Sequence, residues 1–206
     1  MSDLLSLTPK ELDALRETAS IGAGHAATAL SLMTNSRIMI SVPHITIAAL
    51  EDVPRQIADA EEPIAAVMMQ MLGDLTGRSL LVFPRTTALR LAQLMLRRPR
   101  DASAPFAELE QSALKEAGNI LSGAYLNALS DFLGLMLLPS PPSLVVDMSA
   151  AVLTTAHAQF GADRDTVFAV ETQFLFDDQA DHLRGFFLLL PDFASLRVIL
   201  RAIRIA

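Results

Sequence analysis

Ser112-Ala113-Leu114-Lys115-Glu116-Ala117-Gly118-Asn119 places Ser, Glu and Asn at positions i, i+4 and i+7, and Pro142 follows Asn119 by 23 residues. A weaker version of the same text stands 99 residues earlier, with Asp13, Glu17 and Ser20, then Pro43 at 23 residues beyond Ser20. Ile21 and Ile120, Gly24 and Gly123, and Ala29-Leu30-Ser31 and Ala128-Leu129-Ser130 fall at that same offset. A register held without gaps over about 30 residues marks an internal duplication. The halves also close alike: Leu81-Val82-Phe83-Pro84, Leu89-Arg90 and Arg97 are echoed by Leu188-Leu189-Leu190-Pro191, Leu196-Arg197 and Arg204, now 107 residues apart. The eight extra residues are expected in the polar stretches 161–164 and 177–181. The chain is therefore read as one unit, 1–206, made of a first repeat, 1–101, and a second, 102–206.

Local signals place the elements. Thr8-Pro9-Lys10-Glu11 is a helix start, because Thr can cap, Pro suits the first helical position and Glu three residues on completes a capping box. Apolar residues at helical spacing carry that helix to Thr34, and Asn35-Ser36 stops it. Strands are expected over 37–42, 44–49, 64–72 and 78–83, then a helix over 86–97. Residues 102–105 join the halves, and a second long helix runs from about Phe106 to Leu133, ended by Gly134. The run Pro139-Ser140-Pro141-Pro142 is not helical, and 143–151 reads equally as strand or helix. Strands over 167–176 and 183–190 and a helix over 193–205 complete an α+β architecture. Two long motif helices would pack on a central, mostly antiparallel sheet about a pseudo-two-fold axis.

Composition narrows the chemistry. A length of 206 residues with 51% hydrophobic content allows a full core. The net charge of −7 argues against a nucleic-acid groove, which needs clustered positive charge. Arg85, Arg90, Arg97, Arg98 and Arg100 form a basic run, expected to favour a helix C-terminus. Zero cysteines exclude disulfide and thiolate chemistry. No signal peptide and no long apolar span is legible, so a cytoplasmic protein without membrane attachment is expected.

On a helix, positions i, i+4 and i+7 fall within about 60° of one another and span roughly 10 Å. Ser112, Glu116 and Asn119 thus form one polar line, and Asp13, Glu17 and Ser20 another. Ala117 and Gly118 are expected to leave the second line unshielded. Gly22-Ala23-Gly24-His25-Ala26-Ala27 matches a dinucleotide fingerprint in text, yet a helix precedes it where a strand is required, so close helix packing is the better reading. The four histidines, His25, His44, His157 and His182, have no metal-ligand spacing. No G-x-S-x-G motif is present. The chain thus offers no self-contained set of nucleophile, base and metal.

These residues resemble the CheC family of chemotaxis phosphatases, with its relatives CheX and the phosphatase domain of FliY. The family motif, Asp or Ser, then Glu and Asn at i+4 and i+7, then Pro 23 residues on, stands complete in Ser112, Glu116, Asn119 and Pro142. The text Glu116-Ala117-Gly118-Asn119-Ile120, Ile21-Gly22-Ala23-Gly24 and Leu144-Val145-Val146-Asp147-Met148 is similar too. Two motif copies fit CheC rather than the single-copy CheX.

The resemblance implies hydrolysis of the aspartyl phosphate on phosphorylated CheY-type response regulators. The regulator would bring its own Mg²⁺, phosphoryl group and cationic side chain, so no cofactor is expected on this chain. Asn119 would orient the attacking water and Glu116 would pair with a lysine of the partner, a catalysis of positioning. Pro142 would shape the adjoining surface and Ser112 lead the motif. Copy one departs: Ser20 replaces Asn, and a hydroxyl is shorter than a carboxamide and lacks its paired donor and acceptor. Asp13 and Glu17 would then bind without turnover, beside a degenerate site of Ser20 and Pro43. The resemblance also implies CheD as a possible partner, with Asp147 in its surface. The alternative is a non-enzymatic adaptor that binds a regulator or CheD; a switch role as in FliY is the lesser reading, since no switch domain is appended. A monomer is expected, since the repeats already supply symmetry.

Overall fold

The computed structural model describes residues 8–41, 44–49, 61–98, 105–152, 155, 166–178 and 181–205. Helix α1 spans Pro9–Thr34. The Glu11 amide donates to Thr8 Oγ1 at 3.3 Å, and the Thr8 amide donates to Glu11 Oε2 at 2.7 Å. This closed capping box satisfies two of the orphan donors that every helix start carries. Asn35 ends the helix in the left-handed conformation, φ 51°. Two short strands follow, β1 (Ile38–Ile40) and β2 (His44–Ala49). The hairpin β3 (Pro63–Gly73) and β4 (Gly77–Pro84) leads into α2 (Arg85–Leu96).

The second half repeats this order with α3 (Glu108–Leu133), β5 (Leu137–Pro139), β6 (Ser143–Met148), β7 (Thr166–Asp178), β8 (Asp181–Pro191) and α4 (Phe193–Ile205). Only half of the capping box survives at the start of α3. The Ala107 amide donates to Glu110 Oε2 at 2.6 Å, but Ala107 has no side-chain acceptor to return the bond. Gly134, φ 64°, supplies the left-handed cap at the other end. The segment that reads both ways divides: 143–148 is strand and 149–152 is helical.

One antiparallel sheet holds strands of both halves, in the order β1-β7-β8-β4-β3-β5, with β2 also on β7 and β6 also on β3. Each half therefore lends its two short strands to the other half's long hairpin. At the centre, Leu80 opposes Leu188 and Leu81 opposes Phe187. Leu80 and Leu188 share one face and Leu81 and Phe187 the other, so a two-fold axis normal to the sheet passes through the Leu80–Leu188 pair, and the 107-residue offset read from sequence is one residue out of structural register. The registers also locate the insertion. His44 pairs with Glu171, while Ser143, its equivalent 99 residues on, pairs with Met68. Glu171 thus holds the place of Met68 at a separation of 103, and their hairpin partners Leu188 and Leu80 stand 108 apart, so four of nine extra residues precede β7. The rest fall in the β7–β8 hairpin, where 177–181 was expected to take them; 161–164 lies outside the described residues.

Both faces of the sheet are buried, which is why Ile64–Met69 is a continuous apolar run rather than an alternating one. One face carries Ala65, Val67, Met71, Leu81, Phe83, Phe187 and Leu189 against α1, α2, α3 and α4. The other carries Ile64, Ala66, Met68, Leu80, Val82, Phe186, Leu188 and Leu190, with Val152 packed on them. Each Val, Leu, Ile, Phe or Met among them contributes about 1.5–3 kcal/mol on removal from water. Tyr125 of α3 stacks on Phe187 with ring centroids 4.5 Å apart. The sheet-to-helix turn is tied to α4 by polar contacts: the Ser195 amide donates to Asp192 Oδ1 at 2.8 Å, and the Thr76 amide donates to Ser195 Oγ at 2.7 Å.

Two expectations are corrected here. Ala117 and Gly118 are buried, not exposing. A Cβ on Gly118 would stand 2.4 Å from Val67 Cγ1, so the glycine lets α3 approach β3. The basic run is not one helix end either. Arg85 opens α2 with its guanidinium 5.7 Å from the Phe106 ring centroid, a cation–π arrangement. Arg90 donates to Gln93 Oε1 at 3.3 Å, and only Arg97 and Arg98 sit at the C-terminal end. Arg100 lies outside the described residues.

Candidate functional site

The candidate site is the outward face of α3. That helix buries Ala113, Leu114, Ala117, Gly118, Leu121, Tyr125 and Leu129, a stripe set by helical spacing, against α1 and the sheet. The same periodicity turns Ser112, Glu116 and Asn119 outward, and all three are exposed. Among the described residues, the side chains of Glu116 and Asn119 make no hydrogen bond or ion pair. The carboxylate and the carboxamide are therefore open to an incoming group.

The face of α1 is built alike and ends differently. Asp13 and Glu17 are exposed, but Ser20 is only half exposed. Asp13 lies 3.7 Å from Arg16, a weak surface pair, whereas the equivalents 99 residues on are Ser112 and Lys115. His25 is exposed on the same helix. The glycine-rich text lies wholly within α1, where a Cβ on Gly22 would meet Tyr125 Cα at 3.2 Å. It is thus a close helix contact, as its sequence context suggested, and α1 and α3 cross there.

Pro142 is half buried at the entry to β6. Asp147 is exposed on β6, its side chain accepting from the Met148 amide at 2.7 Å. Pro43 lies outside the described residues. Leu109, assigned no role from sequence, is 57% exposed one turn before Ser112, and Val146 and Met148, noted in sequence only as part of a similar stretch, are 40% and 48% exposed on β6. A leucine in an apolar-rich helix reads as core, and nothing but its helical phase relative to Leu114 and Ala117 signals otherwise. Among the described residues no group of three or more His, Asp or Glu could hold a metal, and no helix is long and apolar enough to cross a membrane.

With this geometry in hand, known proteins fall into place. The CheC-like family model matches residues 11–47 and 109–146, the two motif helices and the strands after them. The CheY-P phosphatase CheC of Bacillus subtilis is 30% identical over 205 residues, 98% of this chain and 98% of that protein. The crystal structure of Thermotoga maritima FliY superposes with a TM-score of 0.74 at 22% identity, over 97% of this chain and 98% of that one. CheX, solved with CheY, BeF3 and Mg²⁺ from Borrelia burgdorferi, has a TM-score of 0.55 at 15% identity over 84% of this chain and 97% of that one.

Proposed function

This chain belongs to the CheC-like family, and from that premise we propose that it is a phosphatase of phosphorylated CheY-type response regulators in chemotaxis signalling. The observation that carries the reading is the α3 face, where Glu116 and Asn119 stand exposed with no partner of their own among the described residues.

Hydrolysis of an aspartyl phosphate needs a water held in line with the leaving carboxylate and charge stabilisation on the phosphoryl oxygens. The regulator would provide the second through its own Mg²⁺ and cationic side chain. Asn119 would provide the first: its carboxamide oxygen accepts from the attacking water while its NH2 group donates to the phosphoryl oxygen, fixing the water between them. Glu116, one turn earlier on the same line, would pair with a lysine of the regulator and set the docking angle. Such positioning converts a random encounter into a near-attack geometry. Ser112 would extend the contact, and Pro142 would hold the adjoining loop. This chain would bind no metal of its own and would act in the cytoplasm, as a monomer whose second face, Asp13 and Glu17, can dock a regulator without turning it over. Ser20 and Pro43 would be the remnant of a second site there.

Asp147 would contribute to a separate surface for a CheD-type deamidase. Its exposure on β6 favours that second reading, in which part of the protein's work is binding alone. Asp147→Lys is expected to abolish CheD capture in a pull-down while leaving dephosphorylation intact. The test of the main reading is inorganic phosphate release from a phosphorylated regulator with substoichiometric protein. Release no faster than the regulator's own decay would leave the adaptor reading in its place.

A further inference from the structure

The proposed docking line lies beside an apolar rim that belongs to a different strand. In β6, Leu144 packs into the helix-side core and Val145 into the opposite core. Successive strand side chains alternate faces, so Val146 and Met148 point to the helix side and Asp147 away from it. Their ladder partners agree: Val146 pairs with Ala65 of the helix-side core, and Asp147 with Ile64 of the other. Val146 and Met148 are 40% and 48% exposed, and only β3 flanks β6 among the described strands.

The long axes of α3 and β6 bring this rim level with the motif. Gly118 lies against Val67, which pairs with Leu144. The C-terminus of α3 leads into β5, which pairs with Met71–Gly73. The first turns of α3 therefore run back along β3 toward Pro63, whose partner is Met148. From Gly118 to Leu109 is nine residues, about 13.5 Å of helix. From Val67 to Pro63 is four residues, about 13 Å of strand. Leu109, 57% exposed, thus stands at the level of Met148, and Ser112 and Glu116 near that of Val146.

We propose that Leu109, Val146 and Met148 form one apolar docking rim around the Ser112–Glu116–Asn119 line, covered by the phosphorylated response regulator during turnover. The inference rests on the function proposed above and names the surface it needs. A specific protein complex buries about 800 Å² per partner, far more than three polar side chains offer. A partner whose phosphoryl group reaches Asn119 must spread over what surrounds it, and surrounding contacts that exclude water are a regular part of a specific interface. The positions 99 residues earlier are Lys10, Ile47 and Ala49, so the copy without the carboxamide also replaces the leucine and the methionine. Because Asp147 faces the other way, a second protein held there need not displace the regulator.

The experiment compares wild type with Leu109→Ser/Val146→Ser/Met148→Ser in two readouts: the Kd for a beryllofluoride-loaded CheY-type regulator, and KM and kcat for phosphate release. The rim predicts a Kd and KM raised about tenfold or more, with kcat at saturation within about twofold of wild type and the melting temperature preserved. Unchanged Kd and KM would overturn it. So would a wild type that dimerises in sedimentation while the variant does not, with Kd unchanged, since the patch would then be a self-interface. If wild type binds the loaded regulator but releases no phosphate, the catalytic reading fails alone, and the same Kd ratio still decides the rim.

Discussion

Helices α1 and α3 occupy equivalent places in one symmetric sheet, yet they solve the same packing problem with different residues. Ala19 of α1 is buried, and its equivalent in α3 is Gly118, pressed on Val67. Asp13 in copy one pairs with Arg16; at the same offset copy two carries Ser112 and Lys115. Ser20 is half exposed and Asn119 exposed. The two helices share a frame and differ both at exposed positions and at buried ones, where Gly22, Ala23, Ala26 and Ala27 of α1 correspond to Leu121, Ser122, Tyr125 and Leu126 of α3. The lesson is that shared architecture is poor evidence of shared chemistry: the faces must be judged residue by residue.

The largest effect should come from the buried difference at Gly118. Gly118→Ala places a methyl 2.4 Å from Val67 Cγ1, and overpacking of that kind costs about 1–3 kcal/mol. Thermal or urea unfolding should register this loss. Ala19→Gly in α1 tests the reverse, and its cost should be nearer 1 kcal/mol, the ordinary helix penalty of glycine. Equal losses at both positions would erase the claimed difference in helix-to-sheet distance.

The charged positions come next. Glu116→Ala should weaken binding of a beryllofluoride-loaded regulator about tenfold, the scale of a charge-assisted contact at an interface. Glu17→Ala should change overall dephosphorylation less than twofold, because the face it serves lacks the carboxamide. If Glu17→Ala proved the more damaging for turnover, the ranking of the faces would be inverted.

The smallest effect treats the copies alike. A Cβ on Gly24 or on Gly123 meets nothing within 4 Å. Each glycine sits mid-helix, so Gly24→Ala and Gly123→Ala should each stabilise by about 0.5–1 kcal/mol. The Gly123 change should also leave KM unaltered unless the partner's surface reaches that turn of α3.

Much of this comparison was legible in the text alone. The 99-residue offset predicted equivalent helices, and Thr8, Glu11, Asn35 and Gly134 marked their ends through local capping chemistry. The half box of Glu110 was missed because Ala107 breaks the pattern, although the match with Glu11 at the same offset was there to find. Strand β6 was ambiguous because it lies outside β3 at the sheet's margin, where half-exposed Leu144 and Val145 and exposed Val146 show no clean alternation. The role of Gly118 was misread for a general reason: whether a small residue opens a surface or admits a neighbour depends on what lies across from it. Which face of β6 carries Val146 follows only from the pairing with Ala65, a long-range fact that no local window holds.

The account stands most directly on one measurement: single-turnover phosphate release from a phosphorylated CheY-type regulator by Asn119→Ala and Ser20→Ala. A water-orienting group lost from the transition state should slow Asn119→Ala tenfold or more, each tenfold being about 1.36 kcal/mol, while Ser20→Ala should match wild type. Near-full activity in Asn119→Ala together with loss in Ser20→Ala would contradict the account and move the working site to α1.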